Sequence, residues 1–401
     1  MRWAACRCWY SENIFIPQQK VHLSFMDYPE FVKSYCKMFS ERGFSKTDLE
    51  SAYKVAEAEH LRRKEADVIA LKNKLSNLAN PGLCDTSSFL LKKEDFVEHF
   101  HRLSECARDR HTLTEDMLPL LKEFKGVSEV YEFPVLSAAC LRRLNHELDR
   151  FRAQGGLTVQ PNTMNRSGIL LSEIPGSQSQ HDDQTDIGGA DVDLMSSWFH
   201  FGLRSILSRL FPDVGPTIDS YRVFTVEYTG SDNISEENSK DFDLSPHYDN
   251  AELTANICLD FESGTDYDVG GQLFFCHFSP GINDPWNRDR DGFAQLVNHH
   301  PGRAIVHRGS HVHGVLPFDL PSKSIHRRSL IFWLRSSAAR TSVCPRCFKR
   351  PQLDPMKVWH CGSVIDCTSL PPQAVENKDY VRVGFGDGFL IPQSDLACTT
   401  F

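Results

Sequence analysis

The chain has 401 residues, 40% of them hydrophobic and 27 of them Phe, enough for one large domain with additions or for two packed units. A formal net charge of -9 disfavours a general nucleic-acid binder, which carries a basic face. No apolar run reaches the length of a bilayer span, and neither a secretion signal nor an ER-retention signal is recognisable. The expectation is therefore a soluble intracellular protein with no membrane and no nucleic-acid partner.

In chain order, residues 1–40 carry aromatic residues and Cys without periodicity and yield no element. Ser45 to Asn80 reads as one long helix, with Ser45 or Thr47 as cap and Pro81-Gly82 as stop. Its alternating Glu and Lys/Arg suit a solvated face, or else a partner-binding one. Asp95 to Arg110 and Thr114 to Lys125 are shorter helices, the second preceded by a capping-box pattern, Thr112-x-x-Glu115. From Val127 the chain changes character: Val130 to Ser137 is a short extended piece, and an amphipathic helix runs from Ser137 to Gln154. Its Leu141, Leu144, Leu148 and Phe151 cover a sheet, and Gly155-Gly156 ends it.

Residues 161–174 read as a turn followed by a strand. Their polar cluster Asn162, Thr163 and Asn165 serves either a ligand or the turn itself. Asp193 to Leu210 is a further helix, stopped by Phe211-Pro212. From Tyr221 onward short β-prone runs dominate, namely 221–228, 253–261, 270–275 and 327–335, with an acidic polar loop between Tyr228 and His247. Helices followed by a run of short strands indicate an α+β chain built on a helix-buttressed jelly roll.

Chemistry concentrates between Ser245 and Arg335. His247 and Asp249 sit two apart in an extended segment, so their side chains share a face. One imidazole and one carboxylate are two thirds of a facial triad for non-heme Fe(II), which needs a distal histidine. The segment 307–317 offers His313, with His311 as rival. His181 and Asp183 have the same spacing as His247 and Asp249, but they lie in a Gly/Ser/Gln/Asp-rich stretch without apolar alternation. Beyond the distal histidine, alternation places Arg327, Ser329, Ile331 and Trp333 on one face and Arg328, Leu330, Phe332 and Leu334 on the other. A guanidinium there suits the carboxylate of an organic co-substrate. Thirteen Cys is an odd count that favours reduced thiols, although Cys344, Cys347, His360, Cys361 and Cys367 have the ligand types of a zinc site.

With these residues in place, about 130 to 345 resembles the prolyl/lysyl hydroxylase branch of the Fe(II)/2-oxoglutarate oxygenases, on PNTMN (161–165), HYDNAELT (247–254), HGVLP (313–317) and WLRSSAARTSVCPRC (333–347); GFGDGF (384–389) extends the match into the tail. The resemblance implies a double-stranded β-helix (jelly roll) with supporting helices and a helical N-terminal region. The boundaries expected are 1–126 for that region, 127–345 for the oxygenase domain (core 218–337) and 346–401 for a Cys-containing tail.

It also implies His247, Asp249 and His313 as iron ligands and Arg327 as the 2-oxoglutarate grip through R-x-S-L, with Ser329, Tyr228 and Thr254 as further co-substrate contacts. In the same terms Gly270-Gly271 admits close backbone approach, and Arg328 is structural. The activity implied is a dioxygenase that hydroxylates a protein or peptide side chain with O2, decarboxylating 2-oxoglutarate to succinate, with L-ascorbate as iron reductant. Oxidation of a small molecule or nucleic acid, and a non-catalytic binding protein with a degenerate pocket, are the alternatives.

Overall fold

The computed structural model describes residues 14–336 except 20, 81, 110, 125, 163, 175–189, 230–240, 263–269, 277–294 and 319–324, together with residue 339 and two strands at 357–360 and 363–366. Cys6, Cys8, Thr163, His181, Asp183, Cys344, Cys347, Cys361, Cys367, the side chain of His360 and residues 230–240 of the loop after Tyr228 lie outside the described residues.

The N-terminal part opens with a hairpin, β1 (Ile14–Ile16) and β2 (Val21–Leu23), followed by α1 (Tyr28–Glu41) and α2 (Lys46–Leu78). Ile14, Ile16, Phe31 and Phe39, from the stretch where periodicity alone yields no element, form a small core with Leu49, Ala52 and Ala56 of α2. Ser45 caps α2, its Oγ accepting from the Asp48 N–H at 3.2 Å. The expectation of a mainly solvated α2 needs correction, because Arg63, Ala70, Lys74 and Asn77 are buried along one side. Asn77 exchanges two 2.8 Å hydrogen bonds with the Leu157 backbone, and Asn73 donates to Thr158 O.

Next come α3 (Glu98–Arg108) and the single turn α4 (Thr114–Met117). The helix expected to reach Lys125 stops here because Pro119 lacks an N–H and the chain tightens to a 3-10 turn over Leu118–Leu120. The expected box does not form, and only a half of one appears a residue later. Leu113 N donates to Asp116, while Thr112 donates to Asp109. After β3 (Lys122–Glu123) and β4 (Val130–Pro134), α5 (Ala138–Ala153) is capped by Ser137, as its sequence predicts.

Among the described residues of 161–174 no strand forms. There are instead isolated bridges, Val159 with Gly168 and Leu170 with Phe224, and a 3-10 turn at Leu171–Glu173. The single helix expected from Asp193 to Leu210 is two, α6 (Ala190–Phe201) and α7 (Leu203–Leu210). They divide at Gly202, whose φ of 134° belongs to glycine, and where a Cβ would lie 1.8 Å from Ser104 Oγ.

The strands that follow are β5 (Ser220–Thr229), β6 (Leu244–His247), β7 (Leu253–Glu262), β8 (Leu273–Phe275), β9 (Gln295–Val297), β10 (Arg303–Arg308), β11 (His313–Val315), β12 (His326–Arg335) and the pair β13 (Lys357–His360) and β14 (Ser363–Asp366). They build an antiparallel six-stranded sheet in the order β3-β4-β10-β7-β12-β5 and an antiparallel four-stranded sheet in the order β6-β11-β8-β9.

Strand alternation splits the larger sheet into two faces. On one face Leu330, Phe332, Leu334, Ala255 and Ile257 pack against Leu144, Leu148, Trp198 and Phe100 of the helices. On the other, Phe224, Val226, Ile305, Ile331 and Trp333 meet Leu244, Leu273, Phe275, Val297 and Val315 of the smaller sheet. The protein is thus a mixed helix and antiparallel-sheet structure whose two sheets pack face to face, with a helical layer behind the larger one. The helix-side core runs continuously from Leu83 through Met117 to Leu334.

Candidate metal centre

His247 ends β6 and stands directly across from His313, the first residue of β11, in the antiparallel register. Facing residues of such a pair lie side by side, so two imidazoles 66 positions apart become neighbours, with ring centroids 4.4 Å apart. Asp249 follows the strand end, and its N–H donates to Gly309 O at 2.8 Å. Gly309 permits that approach, since a Cβ there would come within 2.0 Å of Ala251 O.

His247 Nε2 lies 3.4 Å from one Asp249 oxygen and His313 Nε2 lies 3.4 Å from the other. One donor atom from each of the three residues falls within 4.8 Å of the others, and all three are buried. Each Nδ1 is 2.9 Å from a backbone carbonyl, Ser245 O for His247 and His311 O for His313. A ring that donates from Nδ1 keeps its Nε2 lone pair, the form in which histidine binds metals.

Burial holds the His313 imidazole well below its ordinary pKa and so neutral. Burial alone would push the Asp249 carboxyl up, but charge and hydrogen bonding within the histidine cluster around it hold it below its ordinary pKa. Thr254 Oγ1 donates to Asp249 Oδ2 at 2.6 Å, fixing the carboxylate from β7. Two imidazoles and one held carboxylate are a donor set that fits a divalent iron with open positions. His311 lies outside this trio, its Nε2 3.0 Å from Cys276 O.

The inner face of β12 carries the second half of the site. Arg327 is 2% exposed, and Nη1 donates to Gly271 O. Its Cζ sits 4.9 Å above the Tyr228 ring, which faces it across the β12–β5 register. Nε and Nη2 have no hydrogen-bond partner among the described residues, and neither has the Oγ of Ser329 two residues on. An unpaired buried cation is costly, so this pocket is shaped for an anion. Gly271 (φ 72°) accepts from the arginine through its carbonyl, and a Cβ there would meet the Phe318 ring at 2.3 Å.

Arg328 faces the other way. It bonds Glu227 at 2.6 Å, Asp149 at 2.6 Å and Asn145 at 3.0 Å on the helix side.

Of the undecided cluster at 161–165, Asn162 is a turn residue, its Oδ1 accepting from the N–H groups of Met164 and Asn165 at 2.8 Å. Asn165 instead reaches the site, donating from Nδ2 to Tyr228 OH at 3.2 Å.

Two inward residues escaped the motif reading. His307 stands opposite Thr254 in the β10–β7 register, with its ring 4.5 Å from that of His313. Asn256 points into the same face between Ile331 and Ile305, its Oδ1 unpaired. Strand parity is the signal for Asn256, two positions from Thr254 on β7, whereas β10 holds no recognised residue from which His307 could be counted.

No family model matches the chain. Among curated proteins it is similar to the "2-oxoglutarate and iron-dependent oxygenase domain-containing protein 2" of Xenopus tropicalis, 30% identical over 355 residues covering 87% of this chain and 90% of that one. The Mus musculus protein of the same name is 28% identical over 356 residues, 88% of this chain and 91% of that one. Among solved structures, similarity extends to a Pseudomonas putida prolyl-4-hydroxylase at 16% identity and TM-score 0.35, over 56% of this chain and 97% of that one. A prolyl hydroxylase of Trichoplax adhaerens, solved with a hypoxia inducible factor peptide fragment, is 14% identical with TM-score 0.36, over 60% of this chain and 93% of that one.

Proposed function

Because this chain belongs to the family of the 2-oxoglutarate and iron-dependent oxygenase domain-containing protein 2, and is therefore a 2-oxoglutarate-dependent oxygenase, we propose that it hydroxylates a side chain of a protein or peptide. Its core, 218–337, is read as a double-stranded β-helix (jelly roll). The protein substrate is supported by the resemblance of HGVLP (313–317) and PNTMN (161–165) to the prolyl/lysyl hydroxylase branch.

His247, Asp249 and His313 would hold the iron, which when bound supplies the redox chemistry coupling O2 to co-substrate decarboxylation and substrate oxidation. This chain's residues do the remaining work. Thr254 holds the Asp249 carboxylate, and the two backbone carbonyls hold the imidazole planes. Arg327, with Ser329 and Tyr228, takes the distal carboxylate of 2-oxoglutarate, leaving the keto-acid end toward Asp249. L-ascorbate is the expected reductant for over-oxidised iron.

The observation that carries this reading is Arg327, a buried guanidinium with two donor nitrogens unpaired on the face that also bears Thr254. The test is anaerobic addition of Fe(II) and 2-oxoglutarate. A weak visible charge-transfer band is expected for the native protein, with no band and no CO2 release for His247→Ala or Asp249→Ala. Normal turnover by the His247 variant would reject the site.

A further inference from the structure

The turn 161–165, whose polar residues suit either a ligand contact or the turn itself, lies against the co-substrate pocket without lining the metal centre. Asn165 donates from Nδ2 to Tyr228 OH at 3.2 Å and to Asp241 Oδ2 at 2.8 Å. Its other amide end is committed too, because Oδ1 accepts from Asn162 Nδ2 at 2.8 Å. Asn162 is itself oriented, since its Oδ1 is occupied by two backbone N–H groups. Asp241 is fixed in turn by the Arg166 N–H at 3.1 Å to both oxygens. An amide can present either end to a neighbour, and here the surrounding bonds allow only the donor end to face the tyrosine.

That choice determines what the phenol can do. Tyr228 is 3% exposed and accepts through its oxygen, so its own proton has to go to another acceptor. None is recorded for it among the described residues. Burial raises the phenol pKa, so the proton stays on oxygen. The ring lies under the Arg327 guanidinium, next to donors that also lack partners.

We propose that Asn165 is a positioning residue that sets the polarity of Tyr228, making its hydroxyl a hydrogen-bond donor to the distal carboxylate of the co-substrate. The inference rests on the 2-oxoglutarate reading of the Arg327 pocket and adds to it the Asn162–Asn165–Asp241 relay behind the tyrosine. Replacing the amide by an acceptor inverts the relay. In Asn165→Asp, the phenol donates backward to the new carboxylate and presents only lone pairs to the ligand.

The test is equilibrium binding of 2-oxoglutarate to the full chain loaded with Mn(II), followed by calorimetry, for Asn165→Asp, Asn165→Ala, Tyr228→Phe and the two doubles with Tyr228→Phe. Asn165→Asp is expected to raise Kd about tenfold and Asn165→Ala about threefold, as for loss of one hydrogen bond to a charged group. In the Tyr228→Phe background both effects should fall below about twofold, because the residue acts only through the hydroxyl. Glutarate, which keeps the distal carboxylate and lacks the keto group, should show the same pattern. An equal loss with and without the hydroxyl would reduce Asn165 to a structural role and overturn the proposal, as would unchanged affinity in Asn165→Asp. Failure of the native protein to bind 2-oxoglutarate would remove the parent reading as well.

Discussion

At the scale of single residues, the two adjacent arginines of β12 separate function from stability. Arg327→Ala should raise the 2-oxoglutarate Kd by at least tenfold, read by calorimetry. Arg328→Ala should leave that Kd within about twofold, but cost about 1.5–3 kcal/mol in urea unfolding, because Glu227 loses one of its two arginine partners and keeps Arg152 at 2.6 Å. Thr254→Val deletes the 2.6 Å bond to Asp249 and should weaken Fe(II) affinity about 10–100-fold in an anaerobic metal titration. Strand parity separates the two arginines in the sequence, Arg327 with Ser329 and Arg328 with Phe332, while the selection of Arg327 rests on the R-x-S-L resemblance. The opposite roles of Asn162 and Asn165 are not legible there. Both are short amides in one turn, and only the position of Tyr228, 63 residues on, distinguishes them.

Elements follow the local code where one signal dominates and depart from it where a distant partner intervenes. Ser137 and Ser45 cap the helices they precede, and Pro119 ends a helix that periodicity would continue. Gly202 divides one apolar stripe into two helices because Ser104 of α3 occupies the space a side chain would need. Helix α2 looks solvated in isolation, yet it buries Lys74 and Asn77 against the oxygenase core beside Glu173. Burial there pushes the Glu173 carboxyl up to about 7, with Lys74 and Arg222 opposing the shift. The folded state therefore keeps a proton that the unfolded chain has lost above its ordinary value of 4.5. The resulting stability is full below that value and is lost as pH rises through about 7. Glu173→Gln should remove the dependence, so urea unfolding at pH 5 and pH 8 should show the native protein losing more stability than the variant. A pH-independent difference between the two would reject the assignment.

For the whole molecule, the site sits between two sheets that are held from different directions. The larger sheet is backed by the helical layer, with Trp198 packed edge-on to Phe332 at 4.4 Å, while the smaller sheet packs against its inner face. Charged and polar groups in that inner space, Arg327 above all, cost folding energy until a ligand answers them. Ferrous iron with 2-oxoglutarate should therefore raise the melting temperature under anaerobic conditions. At about a hundred times Kd the gain is about 2.7 kcal/mol, and a chelator should reverse it. No change on loading would mean that the pocket does not take the pair.

The amino-acid sequence by itself determined the chemical types and their parity. It specified a histidine and an aspartate two apart, a later histidine, an arginine on the inward side of a strand, and helices ahead of a run of strands. These are properties of neighbouring residues, set by backbone alternation and capping, and they need no knowledge of what packs where. The tertiary structure alone decided convergence. It placed His313 rather than His311 across from His247, His307 and Asn256 on the inner face, and Asn165 behind the tyrosine that faces Arg327. Strand register and sheet order join residues tens of positions apart, and the burial that selects among registers is summed over the whole core, so no local window contains it.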